Sequence, residues 1–228
     1  MKPLSLSYPA ISASVSCMNL LHLENQIKEC ESAGVSFFHY DIVDGDFNQC
    51  FILGDTLLEQ MACSTKLPIE VHLAACRPEM HIERIAKCGA DYIAVPYETD
   101  KDPRYLFEQI RKWGAKPVLC YRADTAPDKD FLSLAKETAW ILKLTVQPGF
   151  SGQTLQPQAI EHIRSMRTQL EKEKLSTPIQ ADGNVNLQTI SLLSKAGANI
   201  FTGGSSGLFT GNGSLKNQIN QLVRAAKL

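Results

Sequence analysis

The chain of 228 residues contains no apolar run near the roughly 20 residues that a membrane-spanning helix requires. Its first thirty residues do not combine a basic start, an apolar stretch and a small-residue cleavage site, so the chain reads as cytoplasmic and no membrane partner is expected. Long basic runs are absent too. With 23 Lys and Arg against 24 Asp and Glu, the formal net charge is -1. Nucleic acid is therefore not an expected partner. The seven cysteines (Cys17, Cys30, Cys50, Cys63, Cys76, Cys88 and Cys120) are scattered and never spaced as CxxC. That pattern argues against a disulfide framework or a zinc–thiolate knuckle and predicts reduced thiols that pack. There is no Walker motif and no dinucleotide fingerprint.

What is present is repetition. Short apolar runs rich in β-branched and aromatic residues recur at Ala10–Ser14, Phe37–Ile42, Ile69–Leu73, Tyr92–Val95, Pro117–Tyr121, Ile141–Val146, Pro178–Ala181 and Asn199–Thr202. Between them lie stretches with apolar residues at intervals of three and four: Leu23–Ser32, Met80–Lys87, Tyr105–Trp113, Ala159–Lys172, Leu187–Lys195 and Leu215–Ala226. Gly34, Gly89, Gly114 and Gly197 stand where helices need a left-handed residue to stop. Strand and helix alternate without a low-complexity linker, which predicts a parallel sheet. Eight repeats in this length predict a single-domain (β/α)₈ TIM barrel spanning residues 1–228, with an open doubly wound sheet as the alternative.

In a barrel, chemistry gathers at the carboxyl ends of the strands. There the second strand carries His39 and Asp41, which alternation places on one face; the third carries His72 and the seventh ends in Asp182. Two imidazoles and two carboxylates form a nitrogen and oxygen set suited to one divalent ion, Zn²⁺ or else Mn²⁺, Fe²⁺ or Co²⁺. Small-residue loops follow the later strands: Thr145–Gln153, Gly183–Asn184 and Thr202–Phe209. Backbone amides in such loops bind phosphate, and loops after strands seven and eight are the usual place.

These residues resemble the ribulose-phosphate 3-epimerase family from about Ile11 to Phe209, with four motifs in order. HYDIVDGDF at His39–Phe47 is similar to the family's HxDxMDGxF, EVHL at Glu70–Leu73 to DVHLM, TVQPGFSGQ at Thr145–Gln153 to TVNPGFGGQ, and ADGN at Ala181–Asn184 to VDGG. The resemblance implies a ribulose-phosphate-binding barrel whose metal ligands are His39, Asp41, His72 and Asp182. It implies that Asp41 and Asp182 are also the acid and base of the reaction. Substrate contacts carry over to Ser14, His72, Gly149, Phe150, Ser151, Gly152, Gly183, Asn184, Gly204 and Ser205.

The implied reaction inverts C3 of a phosphorylated ketose, D-ribulose 5-phosphate to D-xylulose 5-phosphate, through a metal-stabilised enediolate. It needs no organic cofactor, and the resemblance also implies a homo-oligomer. Three family methionines are replaced by Val43, Ala74 and Leu144, and Arg122 stands in a loop where the family has LNP. Cys17–Leu21 and Ser206–Phe209 resemble the branch acting on D-allulose 6-phosphate. Another ketose phosphate, a non-catalytic phosphosugar-binding barrel, and a lyase or decarboxylase of a phosphosugar acid remain alternatives, with Arg122 a candidate substrate clamp.

Overall fold

The computed structural model describes residues 1–147 and 152–228. Its strands are β1 (Ala10–Ser14), β2 (Phe37–Asp44), β3 (Phe51–Ile52), β4 (Ile69–Ala74), β5 (Tyr92–Pro96), β6 (Lys116–Tyr121), β7 (Ile141–Leu144), β8 (Ile179–Asp182) and β9 (Ile200–Gly203). All but β3 run parallel in the order β1-β9-β8-β7-β6-β5-β4-β2, and β1 pairs with β2 to close the ring. The closing register sets Ser14 beside His39, so closure itself carries the end of β1 to the middle of β2. The two-residue β3 runs antiparallel to the end of β2, with Val43 opposite Ile52.

Strand alternation sorts the side chains into two cores. In β2, Phe38 and Tyr40 face the helices, whereas Phe37, two residues before His39, belongs to the barrel interior. The interior cluster includes Tyr92, Trp140, Leu142 and Ile200; the Trp140 ring lies 4.4 Å from Tyr92 and 5.3 Å from Phe37 between centroids. This aromatic plug gives the floor on which polar side chains stand.

The helices are α1 (Leu23–Ala33), α2 (Asp55–Ser64), α3 (Ile82–Lys87), α4 (Pro103–Lys112), α5 (Phe131–Ala135), α6 (Pro157–Lys172), α7 (Thr189–Ala196) and α8 (Leu215–Ala226). Their buried stripes follow the helical period: Ala159, Ile163, Met166 and Leu170 in α6; Leu215, Ile219, Leu222 and Ala226 in α8. Each such side chain taken fully from water contributes about 1.5–3 kcal/mol when it is a Leu, Ile or Met. Gly34 and Gly197 end α1 and α7 at φ 94° and 113°, a region that other residues avoid.

The structure differs from the sequence expectations in local ways. Helices α2 and α5 are not among the amphipathic stretches named from the sequence: α2 buries only Leu58 and Met61, and α5 is five residues long, so neither has a full apolar stripe. The strand expected through Val146 stops at Leu144, because Thr145 turns its hydroxyl to the backbone carbonyls of Asp182 and Gly183. A 3₁₀ turn at Pro78–Met80 takes in the first residue of the helix expected at Met80–Lys87. Among the described residues, no helix is long and apolar enough to cross a membrane.

Candidate active site

His39 and Asp41 on β2, His72 on β4 and Asp182 at the end of β8 meet at the carboxyl mouth of the barrel. One ligand atom from each lies within 4.8 Å of all the others. Strand register does much of this: Asp41 stands beside His72 across the β2–β4 ladder, and Ser14 beside His39 across β1–β2. Oδ1 of Asp41 lies 3.0 Å from His39 Nε2 and 3.2 Å from His72 Nδ1, while Asp182 Oδ2 lies 3.6 Å from His39 Nε2. Two imidazole nitrogens and two carboxylates at this spacing suit a borderline divalent ion, with the softer nitrogen donors disfavouring Mg²⁺.

The electrostatics are those of a crowded, dry cluster. Burial alone would push the His39 imidazole down, but Asp41, Asp182 and Glu70 together hold it well above the ordinary histidine value. Burial works against ionisation of Asp41, and the two histidines overcome it, so that its carboxyl falls below the usual range. Asp182 moves the other way: burial raises it, His39 only partly offsets this, and the neighbouring Asp41 raises it further. Two carboxylates in one cavity are thus driven apart in acidity.

Beneath the cluster runs a buried polar chain. The Glu70 carboxylate, 0% exposed, lies 2.7 Å from His39 Nδ1 and accepts from Gln180 Nε2 at 2.9 Å and Trp140 Nε1 at 3.0 Å. Gln180 also donates to Thr202 Oγ1 at 3.0 Å, which in turn lies 3.4 Å from Ser12 Oγ. On the other side, Cys120 Sγ lies 3.4 Å from His72 Nε2.

Glu70, Gln180, Trp140, Thr202, Ser12 and Cys120 were not singled out from the sequence. Parity was the available signal: Glu70 and Gln180 each stand two residues before an expected ligand, on the same inward face.

A cavity of about 140 Å³ opens above the cluster. Its wall includes Ser14, Asp41, His72 and Asp182 together with Gly152, Gly183, Asn184, Gly204 and Ser205. The structure therefore brings the expected ligands and most of the expected substrate contacts to one space. Gly149, Phe150 and Ser151 lie outside the described residues. His39 sits just below the wall, fully buried.

Gly183 and Asn184 take consecutive left-handed conformations, φ 115° and 48°. A Cβ at Gly183 would fall 2.6 Å from Val146 and 3.0 Å from the Thr145 hydroxyl, so only glycine fits the turn. Asn tolerates this region, and the Asn184 carbonyl is held by the Thr189 hydroxyl at 2.6 Å.

Val43, Ala74 and Leu144 also line the cavity, as does Ser16, which lies on the 3₁₀ turn at Val15–Cys17 and was missed by motif reading. Arg122 does not line it. Its guanidinium lies 5.0 Å from the Phe47 ring centroid, and its backbone N–H donates to Glu98 at 2.8 Å.

Fold and site together define an α/β-barrel enzyme whose strand ends hold a histidine–aspartate cluster able to bind a metal beside a glycine-lined pocket. A profile of the ribulose-phosphate 3 epimerase family matches residues 10–209, and the chain belongs to that family, isomerase-class enzymes acting on carbohydrate phosphates. It is 32% identical to a ribulose-phosphate 3-epimerase of Methanocaldococcus jannaschii, over 95% of this chain and 90% of that one. It is 30% identical to that of Bacillus subtilis, over 86% and 90%. Among solved structures it resembles a mutant tryptophan synthase alpha-subunit of Pyrococcus furiosus, with TM-score 0.67 and 15% identity over 96% of this chain and 100% of that one. At that identity the likeness concerns the fold alone.

Proposed function

We propose that this chain is a divalent-metal-dependent ketose-phosphate 3-epimerase that interconverts D-ribulose 5-phosphate and D-xylulose 5-phosphate. The observation that carries the reading is the meeting of His39, Asp41, His72 and Asp182 within 4.8 Å at the wall of the cavity that Gly183, Asn184, Gly204 and Ser205 also line. Relatives named for this activity over nearly the whole chain support the substrate.

Inverting a carbon beside a ketone requires a proton to leave one face and another to arrive on the opposite face. Asp41 and Asp182 are the acid and base: one accepts the C3 proton, the other delivers. His39, Asp41, His72 and Asp182 would hold the ion, Zn²⁺ or another borderline metal. When bound, it supplies positive charge for the substrate oxygens that gain electron density.

Ser14 and His72 contact the sugar at the cavity wall, Gly183, Asn184, Gly204 and Ser205 face the phosphate, and Gly149, Phe150, Ser151 and Gly152 are the further substrate contacts of this reading. The chain acts as a cytoplasmic homo-oligomer.

A second reading keeps the chemistry and changes the sugar. Val43, Ala74 and Leu144 make the apolar side of the cavity from short or branched side chains, which favours a longer ketose phosphate such as D-allulose 6-phosphate. One experiment tests both: incubate the metal-loaded protein in deuterated water with each ketose phosphate and follow deuterium entering C3. Exchange with the pentulose supports the first reading, exchange with the hexulose alone the second, and binding without exchange would overturn both.

A further inference from the structure

Beyond the metal ligands themselves, we infer that Glu70 is the positioning residue that fixes His39 for metal binding, and that Trp140 fixes Glu70 in turn. The inference rests on the metal site proposed above and names what the chain builds behind it.

Three nitrogen donors converge on one carboxylate. Oε1 accepts from Trp140 Nε1, and Oε2 accepts from Gln180 Nε2 and takes the His39 Nδ1 contact at 2.7 Å. An indole N–H can only donate, and the Gln180 amide nitrogen does so too. Both acceptor oxygens of Glu70 therefore point at donors, and the His39 proton must lie on Nδ1 for its short contact to be a hydrogen bond. That leaves His39 Nε2 directed at Asp41 and Asp182, at 3.0 and 3.6 Å, as the ligand atom.

Glu70 and His39 are each 0% exposed, Gln180 is 0% and Trp140 2%, so no water replaces a lost partner. The Trp140 ring is itself wedged between Tyr92 and Phe37. Aromatic packing at the barrel floor thereby reaches the His39 ring through one carboxylate.

The chemistry specifies a test that a merely structural role would fail. In Glu70→Gln, the amide oxygen can still serve His39 and Gln180, but the new NH₂ then faces the Trp140 N–H, donor against donor. Trp140→Phe takes away the opposing donor and so relieves that clash. Zinc affinity is measured by competition with a chromophoric chelator, using zinc alone and the full chain, with folding followed by circular dichroism.

Glu70→Gln should bind zinc about 10–100-fold more weakly, the usual effect of losing a partner of a ligating histidine. Glu70→Gln/Trp140→Phe should bind zinc more tightly than Glu70→Gln, and Trp140→Phe alone, which leaves Oε1 of Glu70 without its buried donor, should bind it more weakly than the parent. If Glu70→Gln does not fold, the double variant carries the measurement and should fold and bind zinc. Parent-like zinc affinity in Glu70→Gln, or a double variant that binds no better than the single one or fails to fold, would overturn the inference. A parent chain that binds no divalent metal would instead overturn the metal site itself, and the inference with it.

Discussion

The Ser16 hydroxyl donates to Oδ2 of Asp41 across 3.0 Å, while the other oxygen of that carboxylate faces both histidines. Asp41 is thus oriented from two sides, and its Oδ2 edge is turned toward the cavity wall formed in part by Ser14 and Ser16. Because Ser16 is only half-buried, water can partly replace its hydroxyl. Ser16→Ala should therefore lower kcat by about 3–10-fold, the equivalent of roughly 1 kcal/mol, and weaken zinc binding by no more than a similar factor. Steady-state kinetics beside a zinc titration checks this; an unaltered kcat would remove Ser16 from the machinery.

Asp41→Asn and Asp182→Asn should each abolish deuterium exchange at C3 by at least about 100-fold, since each face of the carbon needs its own proton carrier. Loss in both variants, with the substrate still bound in a filter-retention assay, is the expected pattern. Undiminished exchange in either one would show that another group serves that face.

Lys143 gives a pH prediction that does not involve the histidine–aspartate cluster. Its side chain is fully buried on β7, and its ammonium donates to the carbonyls of Arg122 and Thr125. Burial pulls it from 10.5 down to about 8, with Cys120, Glu98 and Asp124 opposing. Between about pH 8 and about 10.5 the unfolded chain holds the proton that the folded chain has released. The sign follows: folding is penalised below pH 8, and the penalty lifts as pH rises through that window. Relative to Lys143→Met, in which other titrating groups cancel, the parent should gain up to about 1.4 kcal/mol per pH unit there. Urea unfolding of both proteins at several pH values measures the difference, and a constant gap would contradict the shift.

Gly183→Ala combines a left-handed backbone with a Cβ 2.6 Å from Val146. It should cost about 1–3 kcal/mol and lower Tm by roughly 2–10 °C. Gly114→Ala is the control: its φ of 84° is also left-handed, but nothing lies within 4 Å of the added carbon. Its loss should be near 1 kcal/mol. Equal losses by calorimetry would mean that crowding at Gly183 contributes nothing.

Much of this architecture is legible from periodicity. The strand alternation that puts His39 and Asp41 on one face also predicts the face on which Glu70 and Gln180 lie. What periodicity does not convey is distance across the barrel. Glu70 and Trp140 are 70 positions apart and meet only because the ring closes. Ser16 was invisible for another reason: it sits on a 3₁₀ turn, where neither the period of two nor that of 3.6 applies. Helix α2 escaped because its two buried residues make too narrow a stripe to register as amphipathic. The cavity loops were read from composition, and Gly183 owes its place to the Val146 side chain, a neighbour from the adjacent strand end.

The donor–acceptor chain from Trp140 through Glu70 and Gln180 to Thr202 also bears on how such a barrel can change over generations. Each link is hydrogen-bonded to the next, and all four residues are buried. A lone exchange at any one of these positions leaves its neighbours mismatched, whereas paired exchanges keep the polarity consistent. Drift at these positions should therefore be concerted, so that in related chains residues 70, 140, 180 and 202 covary as a block.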